Sequence, residues 1–301
     1  MSKLSWTLLL VASMAGIAAF YPIAKILNGA VDPYVLAFFR YFVATLALIS
    51  VMAYKNRLRL PPRNEWPFFL MLSFFFVMPT GLIVIGIAHT NSVVSAILVN
   101  TNALLIAFLA PMLILEHTNA RKALAFVVGF TGVVAVVLNG QPLPVLLNSD
   151  YFFGAVLLLG ASLLSALYGI YAKAYVRKYD GLYVTFFSSA IGSVMLAFVL
   201  VLGGKFSEMT VPAPYIIVSL LAIGIICTAI PHVVWSSSLK HLDAQTAGSF
   251  KLLIPIFAMA YSFLFFQESF TIWMLLGLLL TSAGIYIVQR EEKVAPSVSN
   301  I

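Results

Sequence analysis

The sequence is poor in cysteine and in charged residues. Cys227 is the one cysteine among 301 residues, which excludes a disulfide framework and a cysteine-based metal site. Charged residues make up 9% of the chain, whereas soluble domains carry about 25%. Hydrophobic residues make up 62%, too many to hide inside one water-soluble globule. These proportions exclude an ordinary soluble enzyme, a disordered chain and a nucleic-acid-binding protein, and they predict a protein of the lipid bilayer.

The sequence also lacks the common signatures of catalysis. It contains no phosphate-binding Walker loop, no zinc-protease motif and no nucleophile–base pair at a credible spacing. We therefore expect no catalytic residues, no metal site and no cofactor.

Long apolar stretches are what the sequence does contain. A transmembrane helix needs about 20 predominantly apolar residues. Ten stretches meet this requirement, and turn-forming residues separate them: 4–27, 33–54, 67–88, 92–115, 120–139, 151–173, 182–203, 213–237, 244–266 and 270–289. The first is too long for the core of a signal peptide, so we expect it to remain part of the structure. The predicted fold class is an all-α membrane protein with ten transmembrane helices.

The distribution of lysine and arginine predicts the orientation. With the N-terminus inside, 13 of these residues fall in inner segments and 2 in outer segments, while Arg40 and Lys251 fall within spans. Cytoplasmic loops carry the excess of positive charge in membrane proteins. We therefore expect a multi-pass protein of the plasma (inner) membrane with both termini in the cytoplasm.

The sequence contains an internal repeat at an offset of 152 residues. The matched pairs are Pro79 and Pro231, His89 and His241, Glu116 and Glu268, and Gly132 and Gly284. This register predicts a first repeat over 1–139, a second over 151–289 and a cytoplasmic tail over 290–301. Because each repeat holds five spans, the second must cross the membrane upside down relative to the first. Inverted repeats are typical of transporters, whose substrate site lies near the midplane between the halves.

Two segments carry a resemblance to a known family. Residues 89–137 and 241–288 resemble the second half of an EamA repeat of the drug/metabolite transporter superfamily, and the second segment is closer to the usual pattern. Arg40 also matches an arginine often seen in the second span of that family. The chain departs from the family pattern at Ala103, where a proline is usual, and at Lys251. The resemblance implies a ten-helix carrier of small metabolites, often an exporter of amino acids, without naming a substrate.

The two cations within spans are the first candidates for contact with cargo, because charge inside the hydrocarbon is costly. Lys251 lies about 10 Å along the ninth span, and the repeat places it opposite a face of the fourth span that carries Ser95 and Asn102. It either faces a cavity and contacts an anionic group or extends to the inner interface. Arg40, in the second span, either binds a carboxylate or ties neighbouring helices together.

A histidine in the eighth span is a third candidate. His232 follows Pro231 and precedes Trp235 by about one helical turn. A histidine changes charge near neutral pH and is therefore able to carry a coupling proton. A neutral, structural histidine explains the position equally well.

A stripe of tyrosines marks the sixth span. Tyr168, Tyr171 and Tyr175 share one helical face, which predicts a cavity wall, although Tyr175 also suits an interfacial aromatic belt. Asn100 and Tyr21 are weaker candidates for substrate binding.

Two other groups have structural interpretations. The phenylalanines at 74–76 surround too much of their helix to form a specific box, so we expect lipid contact or packing. Glu116 and Glu268 each stand at the end of a span, just before the next helix, where a carboxylate caps the helix N-terminus. We expect them to be structural caps.

The ten carboxylates all lie in loops or at span ends. A proton-driven carrier of lipophilic cations needs a buried acid, so that class is disfavoured, and the cavity is predicted to be neutral to basic. The sequence favours a secondary transporter, an exporter or exchanger, of a small zwitterionic or anionic metabolite such as an amino acid. A carrier for uptake of a nucleoside-like or cofactor-like metabolite is the alternative within transport, and a receptor or intramembrane enzyme is the alternative from another class. Glycines on the last span of each repeat are compatible with a homodimer and equally with a monomer.

Overall fold

A computed structural model describes residues 3–56, 58–113, 120–142, 147, 149–204, 213–238, 250–267 and 270–291. Within these ranges the protein is helical and contains no strand. Glu116 and Glu268, the predicted caps, lie outside the described residues.

Twelve helical segments follow one another in the described residues. The first repeat contributes α1 (Lys3–Ile26), α2 (Pro33–Tyr54), α3 (Trp66–His89), α4 (Ser92–Asn100), α5 (Asn102–Leu113) and α6 (Ala120–Leu138). The second contributes α7 (Asp150–Tyr179), α8 (Gly181–Leu202), α9 (Pro214–Gly224), α10 (Ile230–Ser238), α11 (Leu253–Phe266) and α12 (Ile272–Glu291). A π-helical turn, Ile225–Ala229, joins α9 to α10, and 3₁₀ turns at Arg63–Glu65 and Phe250–Leu252 precede α3 and α11.

These helices supply the ten apolar segments that the sequence predicts. Seven are long and apolar enough to cross a bilayer, and three shorter apolar helices complete the series: Ala123–Leu138, Phe250–Phe266 and Ile272–Ile287. The prediction of an all-α, multi-pass membrane protein is therefore confirmed.

Polar turn residues begin several of the helices. Asp32 accepts a hydrogen bond from the amide of Tyr34, Asn91 from Val94, and Ser149 from Phe152. Such side chains satisfy backbone amides that a helix N-terminus leaves without an intrahelical acceptor. This local chemistry lets successive helices reverse direction through short loops.

The fourth span is broken rather than continuous. Thr101 separates α4 from α5, and its hydroxyl lies 2.6 Å from the carbonyl of Leu98 and 2.9 Å from the hydroxyl of Ser162. Residue 253 is equivalent to Thr101 in the internal repeat, and α11 begins there, after a 3₁₀ turn. The structure thus shows an interrupted helix in the first repeat, and discontinuous helices of this kind surround transporter binding sites.

The packing of the helices follows the two repeats. Helix α3 packs on α7, and the equivalent pair is α1 with the π-turn and α10. Helices α2 and α8, which are equivalent to each other, pack together, as do α6 and α12. The ten segments therefore form two inverted five-helix repeats that interlock across a shared core.

Glycines bring α6 and α12 into backbone contact. A Cβ atom added at Gly132 would lie 2.7 Å from the amide nitrogen of Thr281, and one at Gly284 would lie 2.6 Å from the carbonyl oxygen of Ala125. Real Cβ atoms do not approach backbone so closely. These two glycines, matched by the repeat, serve packing within one chain.

An ion pair also connects the repeats. Glu65, buried just before α3, accepts a hydrogen bond from Lys178 near the end of α7. That hydrogen bond raises the pKa of Lys178. The contact ties the entrance of the third span to the exit of the sixth.

Candidate functional site

Arg40 is held inside the bundle by two groups from other parts of the fold and by the ring of its neighbour in α2. Its Nε donates to the hydroxyl of Thr228 at 3.0 Å, and its guanidinium carbon lies 4.0 Å from the ring centre of Phe20 and 5.6 Å from that of Tyr41. Cation–π contacts at these distances stabilise a desolvated guanidinium. Within the described residues, Nε makes the only hydrogen bond of this group, and the side chain is partly exposed. The two Nη atoms are therefore available to solvent or cargo.

Thr228 reaches Arg40 from the π-turn between α9 and α10. Its hydroxyl also donates to the carbonyl of Ile223 at 2.9 Å. Turns of π-helix are rare and frequently lie at functional sites. Here the turn packs against α1 and α2, the helices that carry Phe20 and Arg40.

His232 lies one helical turn beyond Thr228. Its ring centre is 5.7 Å from that of Phe76 on α3, at an interplanar angle of 53°. Arg40 and Lys251 both lie close enough to act on His232 electrostatically. The histidine is therefore within electrostatic range of both intramembrane cations.

Aromatic side chains continue from His232 along α3 and α7. Phe76 lies 4.7 Å from Tyr168, ring centre to ring centre, and the hydroxyl of Tyr41 lies 2.8 Å from both the Phe76 carbonyl and the Thr80 hydroxyl. The hydroxyl of Tyr168 lies beside Thr185 and Ser188 of α8. We call Phe76, Tyr168 and His232 the aromatic wall.

The three phenylalanines at 74–76 have different surroundings. Phe74 is exposed on the outside of the bundle, and Phe75 stacks on Tyr171 at 6.1 Å. Phe76 alone belongs to the aromatic wall. The expectation of lipid contact or packing describes Phe74 and Phe75, whereas Phe76 lies beside two candidate site residues, Tyr168 and His232.

Lys251 lies in the 3₁₀ turn directly before α11. Its side chain is exposed although many protein atoms surround it. The amide of Asn100, at the end of α4, donates to the carbonyl of Lys251 at 3.5 Å. The end of α4 in the first repeat thus meets the 3₁₀ turn before α11 in the second, and Asn102 is partly exposed just beyond this point.

Three other predicted residues have different surroundings. Ser95 is fully buried and donates to the carbonyl of Asn91 at 2.8 Å, and Tyr21 is buried with its ring edge-on to Phe20. Trp235 lies on α10, but its side chain is outside the described residues. Ser95 and Tyr21 therefore support the site from behind.

Sequence reasoning did not select Phe20 or Phe76 for the site and gave Thr228 no role. Thr228 does have a signal, since it precedes His232 by one turn on the same helical face. Phe20 and Phe76 have none, because many phenylalanines in an apolar chain are equivalent until helices are packed.

The site is electropositive. Among the carboxylates that the structure describes, Asp32, Glu65, Asp150 and Asp180 all stand at helix ends. The described residues contain no cluster of three or more potential metal ligands. Two cations, a histidine and aromatic rings can bind an anionic head group beside a flat or apolar body.

Comparisons with known proteins agree with this architecture. The EamA-like transporter family matches residues 4–138 and 152–290. An uncharacterized transporter of Archaeoglobus fulgidus is 27% identical over 289 residues, covering 95% of this chain and 97% of its own, and one of Bacillus subtilis, YvbV, is 25% identical over 275 residues, covering 91% and 88%. A solved crystal structure aligns with a TM-score of 0.68 at 16% identity, covering 99% of this chain and 100% of its own, which shows a shared fold.

Proposed function

The chain belongs to the EamA-like transporter family and is a membrane transporter rather than an enzyme, and we propose that its cargo is a small zwitterionic or anionic metabolite, such as an amino acid or a relative. Direction of transport belongs to the same proposal: export or exchange, by alternating access of two five-helix repeats around the site between them.

The geometry of Arg40 supports this proposal most directly. A guanidinium presents a planar fork that matches a carboxylate with two parallel hydrogen bonds. Nε is occupied by Thr228, and the ring of Phe20 covers one side. The Nη edge of the fork is thus the part suited to a cargo carboxylate.

Lys251 supports an anionic or zwitterionic cargo from the other repeat. It lies where the 3₁₀ turn before α11 meets the end of α4, and it is close enough to act on His232 electrostatically. A site with positive charge contributed by both repeats favours anions and disfavours lipophilic cations.

The aromatic wall favours a second candidate cargo. Phe76, Tyr168 and His232 pack together as partly exposed rings, and His232 lies within electrostatic range of Arg40. A nucleoside-like or cofactor-like metabolite would stack on such rings. This alternative shares the anionic head group and differs in the body of the cargo.

We further propose that the protein lies in the plasma (inner) membrane with both termini in the cytoplasm. The asymmetry of lysine and arginine in the sequence supports this orientation. Because α6 and α12 pack tightly within one chain, a second copy is not needed to cover their glycines. The proposed partners are the lipid bilayer and the cargo.

Counterflow into proteoliposomes tests the proposed cargo. The purified protein is assayed with labelled L-alanine, L-phenylalanine, L-glutamate, succinate, uridine and tetraphenylphosphonium. We expect saturable counterflow of at least one zwitterion or anion and none of the cation. Saturable movement of tetraphenylphosphonium without any of the carboxylates would overturn the proposal, and uridine alone would favour the nucleoside-like alternative.

Lys251→Met should weaken transport of an anionic cargo. Removing this charge lowers the positive potential of the site, so we expect KM to rise about tenfold with little change in the maximal rate. Lys55→Met, at an exposed lysine just after α2, is the matched control and should leave KM unchanged. An unchanged KM for Lys251→Met would remove this lysine from the binding site.

A further inference from the structure

We propose that Thr228 is a positioning residue for Arg40, and that the π-turn which carries it sets the carboxylate specificity of the site. This inference rests on the proposed function and adds the element that orients the arginine. It concerns a residue that contacts Arg40 and is not itself required to contact cargo.

The direction of the two hydrogen bonds that the Thr228 hydroxyl makes fixes the orientation of Arg40. A hydroxyl has one proton to donate, and Thr228 donates it to the carbonyl of Ile223. Its lone pairs then accept from Nε of Arg40 at 3.0 Å. With Nε held, the guanidinium plane cannot turn its Nε edge toward cargo, so the Nη edge remains as the two-pronged donor.

The π-turn is what makes this arrangement available. In an α-helix a threonine hydroxyl reaches the carbonyl four residues back, which would be that of Gly224. The wider winding of Ile225–Ala229 instead directs Thr228 to the carbonyl five residues back. The acceptor lone pairs consequently face α2 and Arg40.

The equivalent position in the first repeat has neither the π-turn nor the threonine. At the offset of 152 residues, Thr228 corresponds to Phe76, and α3 is a regular α-helix at that point. One repeat thus supplies the support for the arginine and the other supplies a ring of the aromatic wall. Of the two symmetry-related positions, Thr228 therefore serves the head group of the cargo, through Arg40, and Phe76 serves its body.

Close packing keeps the π-turn in place. A Cβ atom at Gly16 would lie 2.8 Å from the carbonyl oxygen of Ile226, and one at Gly224 would lie 2.5 Å from Val43 and 3.2 Å from the carbonyl oxygen of Arg40. Helices α1 and α2 therefore approach the turn at backbone distance. The support for the guanidinium is rigid, as an accurately oriented binding group requires.

Matched pairs of small molecules test the inference while the natural cargo is still unidentified. Thermal unfolding of the purified protein in detergent is measured with acetate and acetamide, benzoate and benzamide, and L-alanine and L-alaninamide, which differ in the carboxylate. We expect the wild type to bind at least one carboxylate more tightly than its amide. Thr228→Val should reduce that preference about tenfold, the size of one net hydrogen bond, whereas Thr228→Ser should retain it.

Thr131→Val is the matched control for loss of a threonine hydroxyl. Thr131 is exposed on α6 and donates to the carbonyl of Val127, away from the site. The Thr131→Val variant should therefore show the same preference for carboxylates over amides as the wild type. A wild-type preference that survives unchanged in Thr228→Val overturns the role of Thr228 alone. Absence of a carboxylate preference in the wild type for all three pairs overturns the proposed anionic head group as well. If Thr228→Val and Thr228→Ser lose the preference equally, the shape of the side chain rather than its hydroxyl is responsible, and the inference fails.

Discussion

Arg40→Met is expected to reduce transport of a carboxylate cargo about 100-fold in kcat/KM. Two charge-assisted hydrogen bonds from the Nη atoms would be lost, each stronger than a neutral one. Methionine keeps the apolar stem of arginine but removes the guanidinium, so the cation–π contact with Phe20 is lost as well. Counterflow of whichever labelled carboxylate the wild type carries gives the measurement.

Two further variants make this result specific. Arg40→Lys keeps the charge but not the planar fork, so we expect an intermediate loss of about tenfold. Arg63→Met removes an exposed arginine in the 3₁₀ turn before α3 and should leave transport unchanged. Equal transport by Arg40→Met and Arg63→Met would mean that Arg40 only ties helices together.

The spans and their order follow from the sequence because they depend on hydrophobicity, which is a local property summed over consecutive residues. About 20 apolar residues must cross the hydrocarbon whatever surrounds them. The turn-forming residues between the spans are also a local signal, and Asp32 and Asn91 cap helices there. Pairing of Gly132 with Gly284 was indicated by the repeat, and the structure places both at the α6–α12 contact.

The interruptions of the helices could not be predicted in the same way. Thr101 breaks the fourth span without proline or glycine at that position, and the π-turn at Ile225–Ala229 contains neither. The break at Thr101 depends on its contact with Ser162 of α7, whereas the π-turn lies just before Pro231, whose missing amide leaves the carbonyl of Cys227 without an α-helical donor. Lys251 was predicted about 10 Å along the ninth span and lies in a 3₁₀ turn directly before α11.

The charged residues of the site could be predicted from the sequence, but the contacts that they make with distant residues could not. Arg40 and Lys251 stand out because ions are rare in hydrocarbon. The partner of Arg40 is 188 residues away, and no pattern in the chain joins the two positions. Three-dimensional packing alone distinguishes Phe76 from Phe74 and Phe75.

The two repeats need a fixed contact if other contacts are to change during transport. Helices α6 and α12 meet backbone to backbone, and such contacts do not deform gradually. The site residues instead come from α2, α3, α4, the π-turn, α10 and the 3₁₀ turn before α11. The α6–α12 pair is therefore a fixed contact away from the site, and we expect it to stay closed while other contacts change.

Gly284→Leu should consequently destabilise the whole protein, by about 3 kcal/mol in the free energy of unfolding. Even one Cβ atom would stand 2.6 Å from the carbonyl oxygen of Ala125 and 2.7 Å from Cα of Gly129, and backbone cannot yield as a side chain does, so overpacking takes the upper end of its usual cost. Unfolding in a titration with SDS, followed by circular dichroism, measures the change. Ala283→Leu places the same side chain on the neighbouring, exposed position of α12 and should leave the unfolding midpoint within error of the wild type. If both variants unfold at the same detergent concentration as the wild type, the α6–α12 contact is loose, and it is not a fixed contact between the repeats.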